Sequence, residues 1–195
     1  MTHRVLVIGG PGTGKTTLAR RLADDLEVQT VDLDRRAAYE PPDGPESDAP
    51  FRDWVRVSWD SRCATAEALA AEDGWVAEGV YAGWTQPFLD AADTVVWLDL
   101  PGRLAGVGVA RRQAHLLRAG SPDRYDLRGF IRLSGRAIRG YRRGPIASVD
   151  DLRARDGANS TATTRAFLAA HGDKVIRCRS RKDVDHARRQ VGSAR

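Results

Sequence analysis

Cysteine, methionine and lysine are all scarce in this chain of 195 residues, which holds two cysteines, one methionine and three lysines. Cys63 and Cys178 lie far apart and outside any metal-ligand or redox spacing, which excludes a disulfide scaffold and a cysteine-ligated metal. No apolar run approaches the roughly 18–20 residues that a membrane-spanning helix needs, so no membrane partner is expected. The N-terminal MTHRVLVIGG passes straight into a strand-like run, without a signal peptide's apolar core and cleavage site. A reducing cytoplasm is the expected location. Internal repeats and low-complexity tracts are also missing. What remains, 42% hydrophobic and 29% charged residues, has the proportions of a globular protein. The length implies one domain spanning 1–195, as a monomer or a homodimer.

The net charge of +5 is unevenly spread. Between Arg103 and Arg143 stand eleven arginines against two aspartates, a local +9 that leaves −4 for the rest of the chain. With lysine confined to Lys15, Lys174 and Lys182, the positive charge is nearly all guanidinium. Guanidinium forks bind phosphate oxygens two at a time and keep their charge at any working pH. A segment this rich in arginine implies a polyanionic ligand, either nucleotide phosphates or nucleic acid.

Hydrophobic runs alternate with stretches of helical periodicity. Strands are predicted at Val5–Ile8, Val28–Asp32, Trp75–Glu78, Thr94–Leu98 and Lys174–Arg177. Helices are predicted at about Thr16–Leu26, Arg52–Ala71, Gly102–Ala119, Asp126–Tyr141, Thr161–Ala170 and Asp183–Val191. The Arg52–Ala71 helix would bury Val55, Trp59, Cys63 and Ala66, while Gly106 and Gly108 weaken the pattern over 102–119. Prolines and acids make residues 40–50 a loop. Strands alternating with helices predict an α/β fold: a parallel sheet covered on both faces, with ligands bound beyond the carboxyl ends of the strands.

The first strand is followed by Gly9-Gly10-Pro11-Gly12-Thr13-Gly14-Lys15-Thr16, which satisfies G-x-x-x-x-G-K-[ST] at every position. Glycines let such a loop wrap a phosphate with successive N–H groups, and the following helix N-terminus adds its partial positive charge. Gly10, Pro11, Gly12, Thr13, Gly14, Lys15, Thr16 and Thr17 are therefore the candidate nucleotide-binding residues. Lys15 is expected on the β- and γ-phosphates and the Thr16 hydroxyl on Mg²⁺.

Acids close the later strands. Asp32 and Asp34, two apart, are predicted to face the loop, Asp32 toward Mg²⁺ and Asp34 toward the hydroxyl of a phosphoryl acceptor. Glu78 and Asp99 both end hydrophobic strands and compete for the second metal-side position; Leu100-Pro101 after Asp99 favours Glu78. Trp84 and Tyr81 are candidates to line an acceptor pocket, the other tryptophans being core. Within the arginine-rich segment, Arg128, Arg132, Arg136, Arg139 and Arg143 form one helical stripe. Transfer of a phosphoryl group needs cations around its equatorial oxygens, and a mobile arginine-bearing lid would supply them. Arg111, Arg112 and Arg124 are the candidates, ahead of Arg142 and Arg143.

With these residues in view, the sequence resembles the nucleoside-monophosphate-kinase-like branch of P-loop proteins. Within that branch it is similar to the small adenylate-kinase-like proteins sometimes named DNA topology modulation proteins. GGPGTGKTTLARRLADDL is like their phosphate loop and first helix, VDLDR their second-strand motif, and GWVAEGVY their third strand. DTVVWLDLP before an arginine-bearing helix and KVIRCRSRKDVD near the C-terminus are similar to their fourth strand with lid and their last strand with its base-side loop. The resemblance implies a three-layer P-loop NTPase fold, with a five-stranded parallel sheet of order 2-3-1-4-5, helices on both faces and an Arg-rich lid at about 103–143. It also implies an acceptor-side segment at about 36–72, ATP with Mg²⁺, and a small-molecule phosphoryl acceptor. Lys15, Thr16, Arg111 and Arg112 match nucleotide-binding positions, Arg179 and Arg181 fall in the base-side loop, and Asp34 matches the acceptor-side acid of shikimate-type kinases. The chain departs from true monophosphate kinases after strand three. Their Asp-Gly-aromatic-Pro-Arg is here Glu78-Gly79-Val80-Tyr81-Ala82, without the arginine that would bind an acceptor phosphate.

Two other readings compete. The basic segment suits a nucleotide-dependent nucleic-acid-binding or regulatory protein, although stacking aromatics do not interleave its stripe. A GTP-driven switch lacks its guanine-reading Asn-Lys-x-Asp.

Overall fold

The computed structural model describes residues 3–121, 123, 127–155 and 158–193, without the side chains at 127 and 129. Five parallel strands form the central sheet: β1 (Arg4–Gly9), β2 (Gln29–Asp32), β5 (Trp75–Gly79), β6 (Thr94–Leu98) and β7 (Val175–Cys178). Their order is β2-β5-β1-β6-β7, the 2-3-1-4-5 arrangement that the family resemblance implies. Two very short strands, β3 (Tyr39–Glu40) and β4 (Val55–Arg56), pair antiparallel beside it. The helices are α1 (Lys15–Leu26), α2 (Trp59–Ala70), α3 (Gln86–Ala91), α4 (Gly102–Arg118), α5 (Leu127–Arg143), α6 (Val149–Ala154), α7 (Thr161–Leu168) and α8 (Arg181–Gly192). None of the described helices is long and apolar enough to cross a membrane.

Strand periodicity builds two cores from one sheet. Alternate residues point to opposite faces. Leu6, Ile8, Val31, Trp75, Ala77, Val95 and Trp97 therefore join one cluster, shared with Phe88 and Leu89 of α3 and Ala66 and Leu69 of α2. Val5, Val7, Val76, Val96 and Leu98 join the other, against Leu18 and Leu22 of α1 and Ala187 and Val191 of α8. Both faces being covered explains why the strands read as continuous apolar runs.

One predicted helix is shortened. The expected Arg52–Ala71 helix begins only at Trp59, because Ser58 caps it, its hydroxyl oxygen accepting from Ser61 N. Upstream, Val55 and Arg56 pair with Glu40 and Tyr39 instead, and Val55 is exposed rather than buried. Tertiary pairing thus overrides a run that carried helical periodicity. The short helices α3 and α6 had no periodic signal long enough to read.

The glycines that weakened the α4 pattern have a packing reason. α4 crosses the phosphate loop so closely that a Cβ at Gly108 would collide with the carbonyl oxygen of Gly12. A Cβ at Gly12 would in turn collide with the carbonyl of Ala105. Both obstacles are backbone atoms that cannot swing aside. Gly106, two residues away, faces open space. Gly108→Ala should therefore lower stability by about 1–3 kcal/mol through overpacking. Gly106→Ala should raise it by up to about 1 kcal/mol through helix propensity. Urea unfolding of the two variants checks this; equal effects would contradict the close crossing.

Candidate active site

The site is assembled where the carboxyl ends of β1, β2 and β5 meet. The loop after β1 turns through Gly12 at φ 74° and Gly14 at φ 91°, left-handed conformations that favour glycine. Gly14 is also the N-cap of α1, and no side chain caps that end. The first N–H groups of a twelve-residue helix therefore stay open to an anion. Thr13 Oγ1 donates to Gly10 O at 2.8 Å and closes the loop on itself. Lys15 Nζ donates to the same carbonyl at 3.1 Å, folded back across the loop it serves. Thr17 lies on the exposed side of the first turn.

Of the two acids left open by sequence, Glu78 is the one placed at the loop. Thr16 Oγ1 donates to Glu78 Oε1 at 2.6 Å. Asp32 stands directly across from Glu78 in the β2–β5 register, so both carboxylates rise from one row of the sheet. Burial pushes the Glu78 carboxyl above the usual range, opposed by the Lys15 ammonium and the Thr16 hydroxyl. Asp32 is raised by burial and by the charge of Asp34, against the N–H groups of Arg35 and Asp34. Asp99 is occupied elsewhere. Arg177 reaches its Oδ2 through Nε at 3.0 Å and Nη2 at 2.5 Å, and Arg142 lies 3.8 Å from Oδ1.

Mg²⁺ suits this donor set. It takes hard oxygens, usually one or two carboxylates with substrate phosphates and water, rather than an all-protein cage. Thr16, Asp32 and Glu78 provide oxygens of that kind, and a divalent cation would offset the burial, and the lesser mutual repulsion, that raise both carboxyls. No group of three or more His, Cys, Asp or Glu with metal-holding geometry occurs among the described residues.

Asp34 does not simply continue β2 beside Asp32. It starts a single π-turn, Asp34–Ala38, and its N–H donates to Asp32 Oδ1 at 3.0 Å. Its own Oδ1 accepts the phenol of Tyr81 at 2.5 Å. Tyr81 is thus at the site, whereas Trp84 is buried behind it, ring centroids 4.9 Å apart. The adjacent Arg35 lies over the rings of Phe51 and Trp54, at 4.9 and 5.4 Å from their centroids. That aromatic wall carried no sequence signal, since Trp54 reads as core but is only half-buried.

The α4–α5 pair forms the Arg-rich hairpin. Arg111 and Arg112 are exposed and follow Gly108 by three and four residues, next on the side of α4 that meets the loop at Gly12. Arg124 lies outside the described residues. Near the hairpin tip, Asp123 Oδ1 accepts from the N–H of Arg52, 3.4 Å away in the stretch between β3 and β4. At its base the Tyr141 ring covers Gly10, its hydroxyl 3.1 Å from Thr164 Oγ1, and Arg142 Nη1 donates to Leu100 O at 2.6 Å. Arg142 therefore braces α5 against the end of β6, and Arg143 is exposed. Arg179 and Arg181 are exposed at the turn between β7 and α8, two strands or roughly 10 Å from β1. Arg177, the partner of Asp99, carried no sequence signal, since its role depends on a neighbour in another strand.

Loop, sheet order and flanking helices together define the P-loop NTPase fold. The family model for the ATPase family associated with various cellular activities matches residues 5–54, from β1 to the residue before β4. No curated protein matches the chain. Among solved structures, an uncharacterized protein from Eubacterium ventriosum is similar over 98% of this chain and 96% of its own, with 14% identity and a TM-score of 0.50. Shikimate kinase from Bacteroides thetaiotaomicron is similar over 97% and 96%, with 14% identity and a TM-score of 0.49. Shikimate kinase from Acinetobacter baumannii in complex with shikimate shares 20% identity over 89% and 96%, with a TM-score of 0.40. At these identities the likeness is one of fold.

The raised carboxyl of Glu78 has a measurable sign. A group whose value is raised by folding favours the fold below its unfolded value and loses that contribution as pH rises through the folded one. In metal-free buffer, Glu78→Gln should therefore gain stability relative to the parent as pH rises from about 4 toward neutrality. Urea midpoints across that range check it; a pH-independent difference would contradict the burial argument.

Proposed function

We propose that this protein is an ATP-dependent phosphotransferase that moves the γ-phosphoryl group of ATP to a hydroxyl of a small molecule. The observation that carries the reading is a third acid, Asp34, held by Tyr81 just past the end of β2, in addition to the metal-side pair Asp32 and Glu78. A nucleotide switch needs the loop and the metal-side acid; a kinase also needs a group to receive the acceptor's proton.

In this reading the acceptor oxygen attacks the γ-phosphorus while the bond to the β–γ bridging oxygen breaks, and ADP departs with that bonding pair. Asp34 takes the hydroxyl proton. Lys15 leaves Gly10 O for the β- and γ-phosphates, as the open N-terminus of α1 and the loop N–H groups bind the phosphate chain. Thr16, Glu78 and Asp32 would hold Mg²⁺, which when bound neutralises charge on the phosphates. Arg111 and Arg112 serve the transferring group from the lid, with Arg124 assigned to the same task from its sequence alone, and Arg179 and Arg181 border the base. The lid and the acceptor-side segment, already joined through Asp123 and Arg52, keep water out. ADP release from Mg·ATP, measured with nucleosides, nucleoside monophosphates, D-gluconate, shikimate and amino-alcohols, tests the proposal. Acceptor-dependent release should fall by at least ~10³-fold in Lys15→Ala with the fold intact; unchanged release in that variant would sink it.

One observation favours a second reading. Arg128, Arg132, Arg136, Arg139 and Arg143 are all exposed along one face of α5, an electrostatic footprint suited to a nucleic-acid backbone. DNA binding by this stripe should weaken steeply with salt. A fluorescence-anisotropy titration checks it, and absence of binding near physiological salt removes this reading.

A further inference from the structure

We propose that Tyr81 is a positioning residue for phosphoryl transfer, its phenol fixing the Asp34 carboxylate in the orientation that receives the acceptor hydroxyl. The inference rests on the role given to Asp34 above and goes beyond it. Tyr81 is 3% exposed, yet its hydroxyl reaches a carboxylate of the candidate site, donating to Asp34 Oδ1 at 2.5 Å. A phenol donating to an ionised acceptor makes a short, strong hydrogen bond. One oxygen of Asp34 is thereby engaged, and the other is left for the acceptor.

The need for such a holder follows from the charges. Glu78 faces the Lys15 ammonium and Asp32 lies 4.0 Å from the Arg35 guanidinium, while the charges of Asp32 and Asp34 both act unfavourably on Glu78. Left alone, a third carboxylate on a short turn would rotate toward solvent, away from the other two. The turn itself is secured by Asp34 N–H on Asp32 Oδ1. The side chain is secured by Tyr81.

Tyr81 is built to do this rigidly. Its carbonyl accepts from Thr85 Oγ1 at 3.0 Å, and the next peptide N–H, of Ala82, donates to the buried Asn159 Oδ1 at 2.8 Å. Its ring leans on Trp84, itself 2% exposed. Gly79 leaves the ring its room. A Cβ there would stand 3.2 Å from Tyr81 Cδ2 and 3.0 Å from Leu33 Cδ1, tight enough to push on the ring that carries the phenol. Asn159 lies beyond the lid in sequence, so the posture of Asp34 depends on two distant segments of the chain.

Filling space and holding Asp34 are separable. Tyr81→Phe keeps the ring and removes only the donor. The test is a cycle of the full-length parent, Tyr81→Phe, Asp34→Asn and the double variant. Transfer is followed with whichever of D-gluconate, shikimate, adenosine or AMP the parent phosphorylates. A probe that needs no acceptor is phosphate release from Mg·ATP, in which water attacks the γ-phosphorus, ADP leaves and Asp34 takes the proton. Melting temperature and Mg·ADP affinity by calorimetry should be unchanged, reporting an intact fold and donor site. Tyr81→Phe should lower kcat about tenfold with KM for ATP unchanged, and Asp34→Asn by about 10²-fold or more. In the Asp34→Asn background, Tyr81→Phe should change kcat less than about twofold, the non-additivity of residues acting as one unit. Parent-like kcat in Tyr81→Phe, or the same loss in both backgrounds, overturns the proposal. Parent-like kcat in Asp34→Asn overturns instead the role of Asp34, and this inference falls with it.

Discussion

β1 is hydrogen-bonded on both sides, to β5 with Val7 opposite Glu78 and to β6 with Val7 opposite Val96, and the candidate site depends on that register. The loop leaves β1 at a fixed height, and Glu78 stands one strand away, level with Val7 two residues before the loop, where Thr16 meets it. Asp32 stands level with Glu78 one strand further out. A slip of one residue in β5 would turn Glu78 to the opposite face and separate it from Thr16. The apolar alternation of Val5, Val7, Leu6 and Ile8 into two cores is what makes such a slip costly.

Over this frame the hairpin of α4 and α5 is set by close contacts rather than by charge. Ala105, Gly108 and Val109 of α4 pack on Gly12, and Tyr141 of α5 packs on Gly10. The basic stripe is left facing outward, while Arg142 is drawn in, to Leu100 O and Asp99. Asp99 thus ends its strand in a structural role, joining β6, β7 and α5, while Glu78 ends its own strand at the loop. Two similar strand-end acids diverge because Arg177 stands beside one of them and Thr16 beside the other.

Much of this was legible from residue order. A loop of eight residues binds phosphate through its own backbone, so the motif from Gly9 to Thr16 carries its chemistry locally. Each strand of the sheet is a short apolar run, and a parallel sheet buried on both faces admits little else. The segment 52–58 carries helical spacing, but its backbone pairs with Ala38 to Glu40 and leaves Val55 exposed, a pairing that no pattern within the segment announces. Gly106 and Gly108 look alike in sequence. One faces open space and the other a peptide carbonyl, a difference that exists only once α4 lies across the loop.

By itself, then, the sequence determined the phosphate loop, the five strands and their alternation with helices, since backbone geometry and burial periodicity act over neighbouring residues. Only the tertiary structure decided which acid faces Thr16, which arginine neutralises Asp99, and that Tyr81 grips Asp34. Those pairs join residues 47 to 78 positions apart. Hydrogen bonds and ion pairs act over a few ångströms, so such partners are chosen by the packing of the sheet and not by any pattern along the chain.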